Sequence, residues 1–274
     1  MEPPLAILRK DFFLTKKRTL MMDTAMNFDD VGVVILAAGK GTRMKSDIAK
    51  VLHKVAQKSM IVHVVERALE ISPDNVLVVV GHQAIQVKNE VNMFYQVNFV
   101  HQKQLLGTGD AVKTAIPALA PGIRDVLVLC GDVPLIKKET LLGLVEAHKK
   151  SHSGITVLAT EVDDPKGYGR IVLDDSNHLL CIREEADATI AEKQIKKINT
   201  GIYCFDKDLL ILSLDEISPE NSQGEYYLTD VIEIAQKQSQ KIMVVTIGDS
   251  QQVIGVNTLE ELCRAEDLIQ GLAD

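Results

Sequence analysis

The sequence predicts an α/β fold, a Rossmann-like sheet of mixed but mostly parallel strands with helices on both faces. Short apolar runs rich in Val and Ile alternate with longer segments whose apolar residues recur at helical spacing. Several runs stop at a glycine, and 274 residues with 46% hydrophobic content are enough to bury a sizeable core. Strands that alternate with helices in this way are typical of parallel sheets.

Composition and charge exclude several classes of protein. A net charge of -8 disfavours a general nucleic-acid binder, and 4% aromatic residues with no Trp disfavour stacking on single strands. The sequence has no apolar stretch long enough to cross a membrane. The scattered Cys130, Cys181, Cys204 and Cys263 form no C-x-x-C pair, which favours reduced thiols. We therefore expect a cytoplasmic protein with no nucleic-acid partner and no membrane partner.

Three segments divide the chain. Residues 1–29 show no clear period, and the three cations at 16–18 interrupt the apolar stretch that a secretory signal needs. This segment is predicted to be a poorly ordered appendage, with a functional basic arm as the alternative. Residues 30–257 are predicted to form the main domain, and 258–274 a C-terminal helix.

The first half of the main domain alternates regularly between strand and helix patterns. The predicted strands are 33–37, 76–80, 97–101, 126–130 and 155–159, and the predicted helices are 61–71, 84–93, 107–115 and 140–150. Glycine-containing stretches at 39–43, 81–82 and 131–132 follow three of these strands. Because ligands of parallel sheets bind at the carboxyl ends of the strands, we expect these stretches to converge on one site.

The second half has a more mixed pattern. A turn at 174–177 between two extended runs predicts a hairpin. The predicted strands are 167–173, 179–183, 197–205 and 243–247, and the predicted helices are 225–236 and 258–272, the last with Thr258 as its N-cap. We expect this smaller β region to lie over the sheet and to hold a second substrate.

The first strand leads into a loop with two glycines and two cations, Gly39, Lys40, Gly41 and Arg43. Glycines let a backbone turn tightly and approach a ligand, and cations attract phosphate. Met44 stands where a P-loop and a dinucleotide-binding fingerprint each need glycine, so neither of these loops fits. A tight strand-to-helix turn without a ligand is the structural alternative.

Several motifs together resemble those of sugar-1-phosphate nucleotidylyltransferases. They are L-A-A-G-K-G-T-R-M at 36–44, K-V-L-H at 50–53, Gln102 with L-G-T-G at 106–109, G-D-V-P-L at 131–135, G-Y-G-R-I at 167–171, I-N-T-G at 198–201 and G-E-Y-Y-L-T-D at 224–230. In this order they are similar to the uridylyltransferase half of the bacterial bifunctional N-acetylglucosamine-1-phosphate uridylyltransferases/glucosamine-1-phosphate acetyltransferases. The resemblance covers the chain from residue 31 to its end and implies the sugar nucleotidyltransferase fold, with a smaller sugar-binding β region.

The resemblance implies transfer of UMP from UTP to N-acetylglucosamine 1-phosphate, with pyrophosphate as the second product. The sugar phosphate would attack the α-phosphorus in line, so positioning and charge stabilisation are most of the task. The implied catalytic residues are Arg43, Lys50 and Asp132. The implied substrate-binding loop contains Leu36, Ala38, Gly39 and Gly41.

The resemblance also implies Mg²⁺ as a cofactor, held by Asp132 and Asn257. Two protein oxygens, completed by phosphate and water oxygens, suit this cation. Without the other motifs, Asp132 would be interpreted as a turn or helix cap, and Asn257 as a turn residue before the last helix.

Further matched positions imply how the base and the sugar are recognised. Gln102 and Gly107 match positions that recognise uracil, and an amide that both donates and accepts suits the uracil edge. A solvated loop amide is the alternative for Gln102, and an ordinary surface charge is the alternative for Glu184. The implied substrate-binding positions outside the glycine loop are Lys50, Gln102, Gly107, Thr108, Gly169, Glu184, Asn199, Thr200, Tyr227 and Asn257.

Three residues depart from the family's pattern. Ala49 stands before Lys50 where Pro is usual, which would loosen that loop. Cys130 stands where an aromatic residue is common, a difference we expect to alter packing rather than chemistry. Asp110 stands where His is common, which places an acid near a polyanion site.

The chain ends at Asp274 without the hexapeptide repeats of the family's β-helix, which carries the acetyltransferase. We therefore expect either a single-function uridylyltransferase or a fragment of a longer chain. Because the β-helix forms the family's trimer, trimerisation does not carry over. Two alternatives stay open: the same transfer with another sugar 1-phosphate or nucleotide, and a non-catalytic sugar-nucleotide sensor. The presence of Arg43, Lys50 and Asp132 argues against the sensor.

Overall fold

The computed structural model describes residues 28–271 of the chain. The predicted appendage at 1–29 lies almost entirely outside the described residues, and so does the end of the predicted 258–274 segment. Within the described part, none of the helices combines the length and the apolar character needed to span a bilayer.

The described residues contain eleven strands and seven α-helices. Strands β1 to β11 span Val31–Ala37, Lys54–Val55, Lys58–Ser59, Val76–Val80, Asn98–His101, Asp125–Cys130, Ile155–Glu161, Arg170–Leu173, Leu179–Arg183, Lys197–Asp206 and Ile242–Ile247. Helices α1 to α7 span Met60–Leu69, Ala84–Asn92, Thr108–Ala115, Lys138–Ser151, Lys207–Glu216, Asp230–Lys237 and Leu259–Gly271. The short hairpin of β2 and β3 is absent from the sequence prediction.

One nine-stranded sheet organises the molecule, in the order β11-β7-β10-β6-β1-β4-β5, with the β8–β9 hairpin attached to β10. β1 pairs in parallel with β4 and β6, β4 pairs in parallel with β5, and β7 pairs in parallel with β11. Only β10 runs antiparallel to its neighbours β6 and β7 along this order. The predicted fold class, a mixed and mostly parallel sheet flanked by helices, is confirmed.

The reversed strand β10 brings the second half of the chain to the ligand edge of the sheet. Because β10 is antiparallel, it begins beside the carboxyl end of β7, where Lys197 pairs with Glu161. Its register shifts around Gly201, which has φ +76. A Cβ on Gly201 would lie 2.7 Å from Cys130 Sγ, so glycine lets β10 bend past the end of β6.

The sheet buries a hydrophobic layer on each face. Alternate side chains of β1 point to opposite faces. Val33 and Ile35 pack in the layer that contains α1, α2 and α4, whereas Val34 packs in the layer that contains α3, α5 and α6. A smaller third cluster joins α7 to the β2–β3 hairpin and contains Val55, Met60, Val256 and Ala265.

The predicted helix 225–236 begins five residues too early. The structure starts α6 at Asp230, because the residues before it make long-range backbone hydrogen bonds instead of helical ones. Tyr226 N donates to Leu106 O at 2.7 Å, and Gly109 N donates to Tyr226 O at 2.8 Å. These two bonds hold the 226 segment against the start of α3.

One helix is missing from the sequence prediction, and the predicted start of another is confirmed. Helix α5 is missing from the sequence prediction, although Asp206 caps it by accepting a hydrogen bond from Leu209 N at 2.8 Å. Helix α7 begins after the predicted cap: Thr258 Oγ1 accepts from Glu261 N at 3.2 Å. Glu261 Oε2 accepts in return from Thr258 N at 2.9 Å, which completes a capping box and confirms Thr258 as the N-cap.

Candidate active site

The three predicted glycine-containing stretches meet at one edge of the sheet. They follow the neighbouring parallel strands β1, β4 and β6. His82 N donates to Ala38 O at 3.0 Å, and Gly131 N donates to Leu36 O at 2.9 Å. A Cβ on Gly81 would lie 2.9 Å from Ala38 O, so only glycine lets the backbones of these two segments come this close.

The loop after β1 is shaped by Gly41 and anchored by Met44. Gly41 has φ +64, and a Cβ there would collide with Lys50 Cβ. Gly39, by contrast, would meet no atom within 4 Å if it carried a Cβ. The Met44 side chain is 1% exposed and belongs to the core. Met44, the residue that rules out the common phosphate loops, therefore anchors this turn to the core.

Four predicted residues from separate segments meet beside this loop. The Lys50 ammonium donates to Asp132 Oδ2 and, at 3.0 Å, to Asn257 Oδ1. Arg43 Nη2 also donates to Asn257 Oδ1, at 2.9 Å. The backbone supports the arrangement, since Val256 N donates to Asp132 O at 2.9 Å. The two cations thus share the Asn257 amide oxygen, and Lys50 alone also contacts the Asp132 carboxylate.

The same cluster suits a hard divalent cation. Asp132 Oδ2 and Asn257 Oδ1 already converge on one positive group, the Lys50 ammonium. Within residues 28–271, no three His, Cys, Asp or Glu side chains gather as a metal-binding group. One carboxylate oxygen and one amide oxygen suit a cation such as Mg²⁺, which takes few protein oxygens and keeps phosphate and water ligands.

A cavity of about 520 Å³ opens next to the four residues. This volume is in the usual range for a small-molecule site. Nine predicted site residues line it: Leu36, Ala38, Gly39, Gly41, Lys50, Gln102, Gly107, Thr108 and Asp132. Leu105, Ala111 and Glu225 also line it, although no sequence motif singled them out as ligand positions. Leu105 and Ala111 lie within a few residues of Gly107 in the sequence, and Glu225 lies close before Tyr227, so nearness to predicted site residues is the signal that could have identified them.

The far wall of the cavity is built around Gln102, which is 4% exposed. Its Nε2 donates to Gly107 O at 3.1 Å and to Asp110 Oδ2 at 2.7 Å. Gly107 has φ +121, and a Cβ there would lie 2.5 Å from Tyr226 O. Thr108 Oγ1 accepts from Leu228 N at 3.0 Å, so this wall is closed against the segment before α6.

Three predicted sugar-site residues come together around the β8–β9 hairpin. Asn199 N donates to Gly169 O at 2.9 Å, and a Cβ on Gly169 would lie 3.5 Å from Glu184 Oε2. Thr229 Oγ1 donates to Glu184 Oε1 at 3.0 Å. Burial, reinforced by the negative charge of Asp230, raises the pKa of Glu184 above its usual value. The Glu184 carboxyl is therefore held in place and largely removed from water.

This sugar-side cluster adjoins the cations. A Cβ on Gly167 would lie 4.0 Å from Arg43 Nη1. Burial, with the negative charges of Glu261 and Asp132, raises the pKa of Tyr168 to about 12. The Gly167–Tyr168 turn therefore connects the β8–β9 hairpin to the cluster around Asp132.

Three predicted sugar-site residues, Asn199, Thr200 and Tyr227, are buried. Asn199 Nδ2 donates to Tyr203 Oη at 2.6 Å, and Asn199 Oδ1 accepts from Gly201 N at 3.1 Å. The Thr200 hydroxyl donates to Leu158 O at 2.8 Å, inside the sheet. The Tyr227 ring is 8% exposed, and burial beside Asp187 raises the pKa of its hydroxyl. Substrate contacts by Asn199, Thr200 and Tyr227 stay predictions.

The loosening expected at Ala49 stays a prediction, and the structure shows a hydrogen bond made by Ala49. Its backbone N–H donates to Gln83 Oε1 at 2.7 Å, and Gln83 Nε2 donates in turn to Asp47 O at 2.6 Å. A proline at this position has no N–H to donate. Alanine lacks the stiffness of proline, but its N–H makes a hydrogen bond that holds the segment before Lys50 in place.

Cys130 takes part in packing, as the sequence analysis expects. Its Sγ donates to Gly201 O at 3.4 Å, which joins the end of β6 to the bend of β10. Burial raises the pKa of the Cys130 thiol to about 12. The side chain therefore stays a neutral thiol at the back of the cavity.

Comparison with known sequences gives two findings. The family model for the MobA-like NTP transferase domain matches residues 33–198. The chain is 44% identical over 237 residues to "Bifunctional protein GlmU" of Heliobacterium modesticaldum, covering 86% of this chain and 51% of the relative. It is equally similar, 44% over 237 residues, to the protein of that name from Desulfotalea psychrophila, covering 86% of this chain and 70% of the relative. The chain thus spans about half the length of the first relative.

Two solved structures share the fold. One is a Bacillus anthracis protein assigned as a glucose-1-phosphate thymidylyltransferase and solved with sucrose, with a TM-score of 0.66, 20% identity, and coverage of 87% of this chain and 94% of that one. The other is the 4-diphosphocytidyl-2C-methyl-D-erythritol synthase of Anaerococcus prevotii, with a TM-score of 0.62, 18% identity, and coverage of 89% and 100%. At these identities the likeness concerns the fold alone.

Proposed function

The chain belongs to the family of MobA-like NTP transferase domains and is a nucleotidyltransferase, and on this premise we propose that it transfers UMP from UTP to N-acetylglucosamine 1-phosphate. The products would be UDP-N-acetylglucosamine and pyrophosphate. The motif resemblance, the relatives at 44% identity and the geometry of the site all support this choice of substrates.

One observation carries the proposal: two cations, a carboxylate and an amide meet at the mouth of the cavity. Arg43 and Lys50 both contact Asn257, and Lys50 also contacts Asp132. Phosphoryl transfer needs fixed positive charge where the triphosphate accumulates negative charge. The cluster lies between the glycine loop and the Gly167 turn, which is where a nucleotide and a sugar phosphate would meet.

In the proposed reaction, a phosphate oxygen of the sugar phosphate attacks the α-phosphorus of UTP. The new P–O bond forms while the bond from the α-phosphorus to the bridging oxygen breaks, and pyrophosphate leaves with that electron pair. Arg43 and Lys50 hold the phosphates and neutralise charge on them. The backbone of Gly39 and Gly41 lets the triphosphate come close, so the chain contributes chiefly positioning and charge.

We include Mg²⁺ in the proposal, with Asp132 and Asn257 as its protein ligands. When bound, the ion would neutralise phosphate charge and help to align the triphosphate. Lys50 donates to both oxygens, so the two proposed ligand atoms already converge on one positive group.

The two ends of the site would supply specificity. Gln102 and Gly107 would read the uracil edge from the far wall of the cavity, with Thr108 beside them. Glu184 and Asn199 would hydrogen-bond the sugar hydroxyls and the acetamido group, because a carboxylate and an amide match both kinds of partner.

A pyrophosphate-release assay across nucleotides and sugar 1-phosphates, with and without Mg²⁺, tests the proposal. UTP with N-acetylglucosamine 1-phosphate should give the highest kcat/KM of all pairs, and EDTA should abolish turnover. Arg43→Ala should lose most of that turnover.

The alternatives give different results in the same assay. Turnover of another nucleotide or sugar phosphate in preference to this pair would correct the substrates but keep the transfer chemistry. Binding of UDP-N-acetylglucosamine without turnover of any pair would reject the proposed reaction in favour of a sugar-nucleotide sensor.

A further inference from the structure

The Asp110 carboxylate lies behind the predicted base-reading residue. Gln102 Nε2 donates to Asp110 Oδ2 at 2.7 Å and to Gly107 O at 3.1 Å. Asp110 lies in the first turn of α3, half-buried, and its backbone O accepts from Thr114 Oγ1 at 2.8 Å. A negative side chain in the first turn of a helix is stabilised by the helix dipole.

The chemistry of these partners fixes which way the Gln102 amide faces. A carboxylate and a backbone carbonyl can only accept hydrogen bonds, so only the NH₂ end of the amide can face both of them. These two bonds use both amide protons. Within residues 28–271, no donor is bonded to Gln102 Oε1. The group that Gln102 leaves for a ligand in the cavity is therefore an acceptor.

The rest of Gln102 is held firmly, so the orientation is established before any ligand binds. Gln102 N donates to Val80 O at 2.9 Å, directly after β5, and the residue is 4% exposed. Gly107 O, the second acceptor, is itself fixed at the start of α3, where it also accepts from Ala111 N at 3.1 Å. Of the two partners of Nε2, Asp110 is the shorter contact and the only side chain.

We infer that Asp110 is a positioning residue for nucleotide specificity: it holds the Gln102 amide with its oxygen toward the cavity, so that the site selects a base whose edge offers a ring N–H. Uracil offers its N3–H to such an acceptor. Cytosine has a bare ring nitrogen at the same place, which repels a carbonyl oxygen. Because the two bases have the same size, the selection comes from hydrogen bonding and not from the volume of the cavity. The inference rests on the proposed nucleotide site.

The test compares UTP and CTP binding by titration calorimetry, without sugar phosphate, in the wild-type chain and three variants. Asp110→Leu removes the acceptor and frees the amide to turn over. Asp110→Asn keeps an amide oxygen that can accept from the same Nε2. Asp208→Leu is the matched control, because Asp208 is an exposed acid in the first turn of α5 and has no contact with the cavity.

The wild-type chain should bind UTP more tightly than CTP. Asp110→Leu should lower the UTP-to-CTP affinity ratio about tenfold, the usual effect of one well-placed hydrogen bond. Asp110→Asn should recover most of the ratio, and Asp208→Leu should leave it unchanged. In turnover, Asp110→Leu should raise KM for UTP with little change in kcat, whereas general damage to the fold would lower kcat and would not favour CTP.

Two results would overturn the inference: equal binding of UTP and CTP by the wild-type chain, which needs no variant, or an unchanged ratio in Asp110→Leu. These results are separable from the fate of the proposed function. A UTP-to-CTP affinity ratio that falls in Asp110→Leu, without turnover of any sugar phosphate by the wild-type chain, supports the role of Asp110 while the proposed reaction fails. Turnover of UTP with an unchanged ratio in Asp110→Leu supports the reaction while the role of Asp110 fails.

Discussion

The Lys50 ammonium is the side chain on which most contacts of the cation cluster depend. It binds both Asp132 and Asn257, and its Cβ occupies the space that glycine leaves at position 41. We expect Lys50→Ala to lower kcat by about 100- to 1,000-fold, the usual loss when one preorganised donor to a developing charge is removed. Steady-state kinetics with UTP and the sugar phosphate measures this.

The fold should survive that substitution, because Lys50 and Asp132 are both partly exposed and water can solvate the carboxylate that remains. Lys54→Ala is the matched control, since Lys54 is an exposed lysine on β2 with no role in the site. Unchanged turnover in Lys50→Ala, with the same unfolding midpoint as the control, would remove Lys50 from the mechanism.

Asp230 makes the stability of the sugar side depend on pH. Burial, followed by the negative charge of Glu233, raises the pKa of Asp230 from 3.8 to about 6. Between these values the folded chain binds the proton more tightly than the unfolded chain. The contribution of Asp230 to the free energy of unfolding therefore falls as the pH rises through this window, and is lowest above about pH 6.

Asp230→Asn should remove this dependence. The free energy of unfolding of the variant, relative to the wild type, should rise between about pH 4 and pH 7. Urea unfolding at several pH values measures it, with Asp175→Asn in the exposed hairpin turn as control. If the curves of Asp230→Asn and wild type run parallel across the window, the raised pKa is wrong.

At the scale of elements, helix α7 is connected to the site through its first turn. Glu261 Oε2 accepts from Asn257 N at 2.6 Å and from Thr258 N at 2.9 Å. One carboxylate thus caps the helix and fixes the backbone that presents the Asn257 amide. A substitution at the start of α7 should therefore also disturb the cation cluster.

We expect Glu261→Ala to destabilise the chain by about 1 kcal/mol, as the loss of a cap does, and to raise the Mg²⁺ concentration needed for half-maximal turnover. Glu260→Ala is the adjacent control, because Glu260 is exposed and accepts neither of these hydrogen bonds. A shift in stability without a shift in the Mg²⁺ requirement would show that Glu261 supports only the helix.

The elements that the sequence predicts well are those whose partners are near in the chain. The strand runs and the Thr258 cap are local patterns; the cap is found as predicted and the predicted strands lie close to their predicted places, although β8 begins at Arg170 and not at 167. The start of α6 is not found as predicted, because Tyr226 is bonded to Leu106, which is 120 residues away. Helix α5 is missed because its apolar residues are not confined to one face: Leu212 is apolar but 62% exposed, so the one-sided apolar pattern that predicts a helix is weak.

At the scale of the whole molecule, the site depends on how distant segments are brought together. The motifs predicted the family and the residues Arg43, Lys50, Asp132 and Asn257, and the sheet order places them at one edge. No sequence pattern could show the role of Ala49, since its hydrogen-bond partner Gln83 lies 34 residues away. The roles of side chains that are specific to this chain, such as Ala49, could therefore be seen only in the structure.

Because the site is built from segments that are distant in the sequence, we expect nucleotide and metal together to stabilise the entire domain. The phosphates of UTP would connect the β1 loop with Lys50, and Mg²⁺ would add Asp132 and the start of α7 to the same assembly. A ligand at about 100 times its Kd stabilises a protein by about 2.7 kcal/mol, which for a domain of this size raises Tm by about 5–10 °C. UTP with Mg²⁺ should therefore raise Tm more than UTP with EDTA does.

Asp132→Ala should abolish that difference. Asp74→Ala should retain it, because Asp74 is an exposed acid at the opposite end of the sheet. Equal Tm shifts with Mg²⁺ and EDTA in the wild-type chain, measured by calorimetry, would mean that the nucleotide binds without a metal held by Asp132.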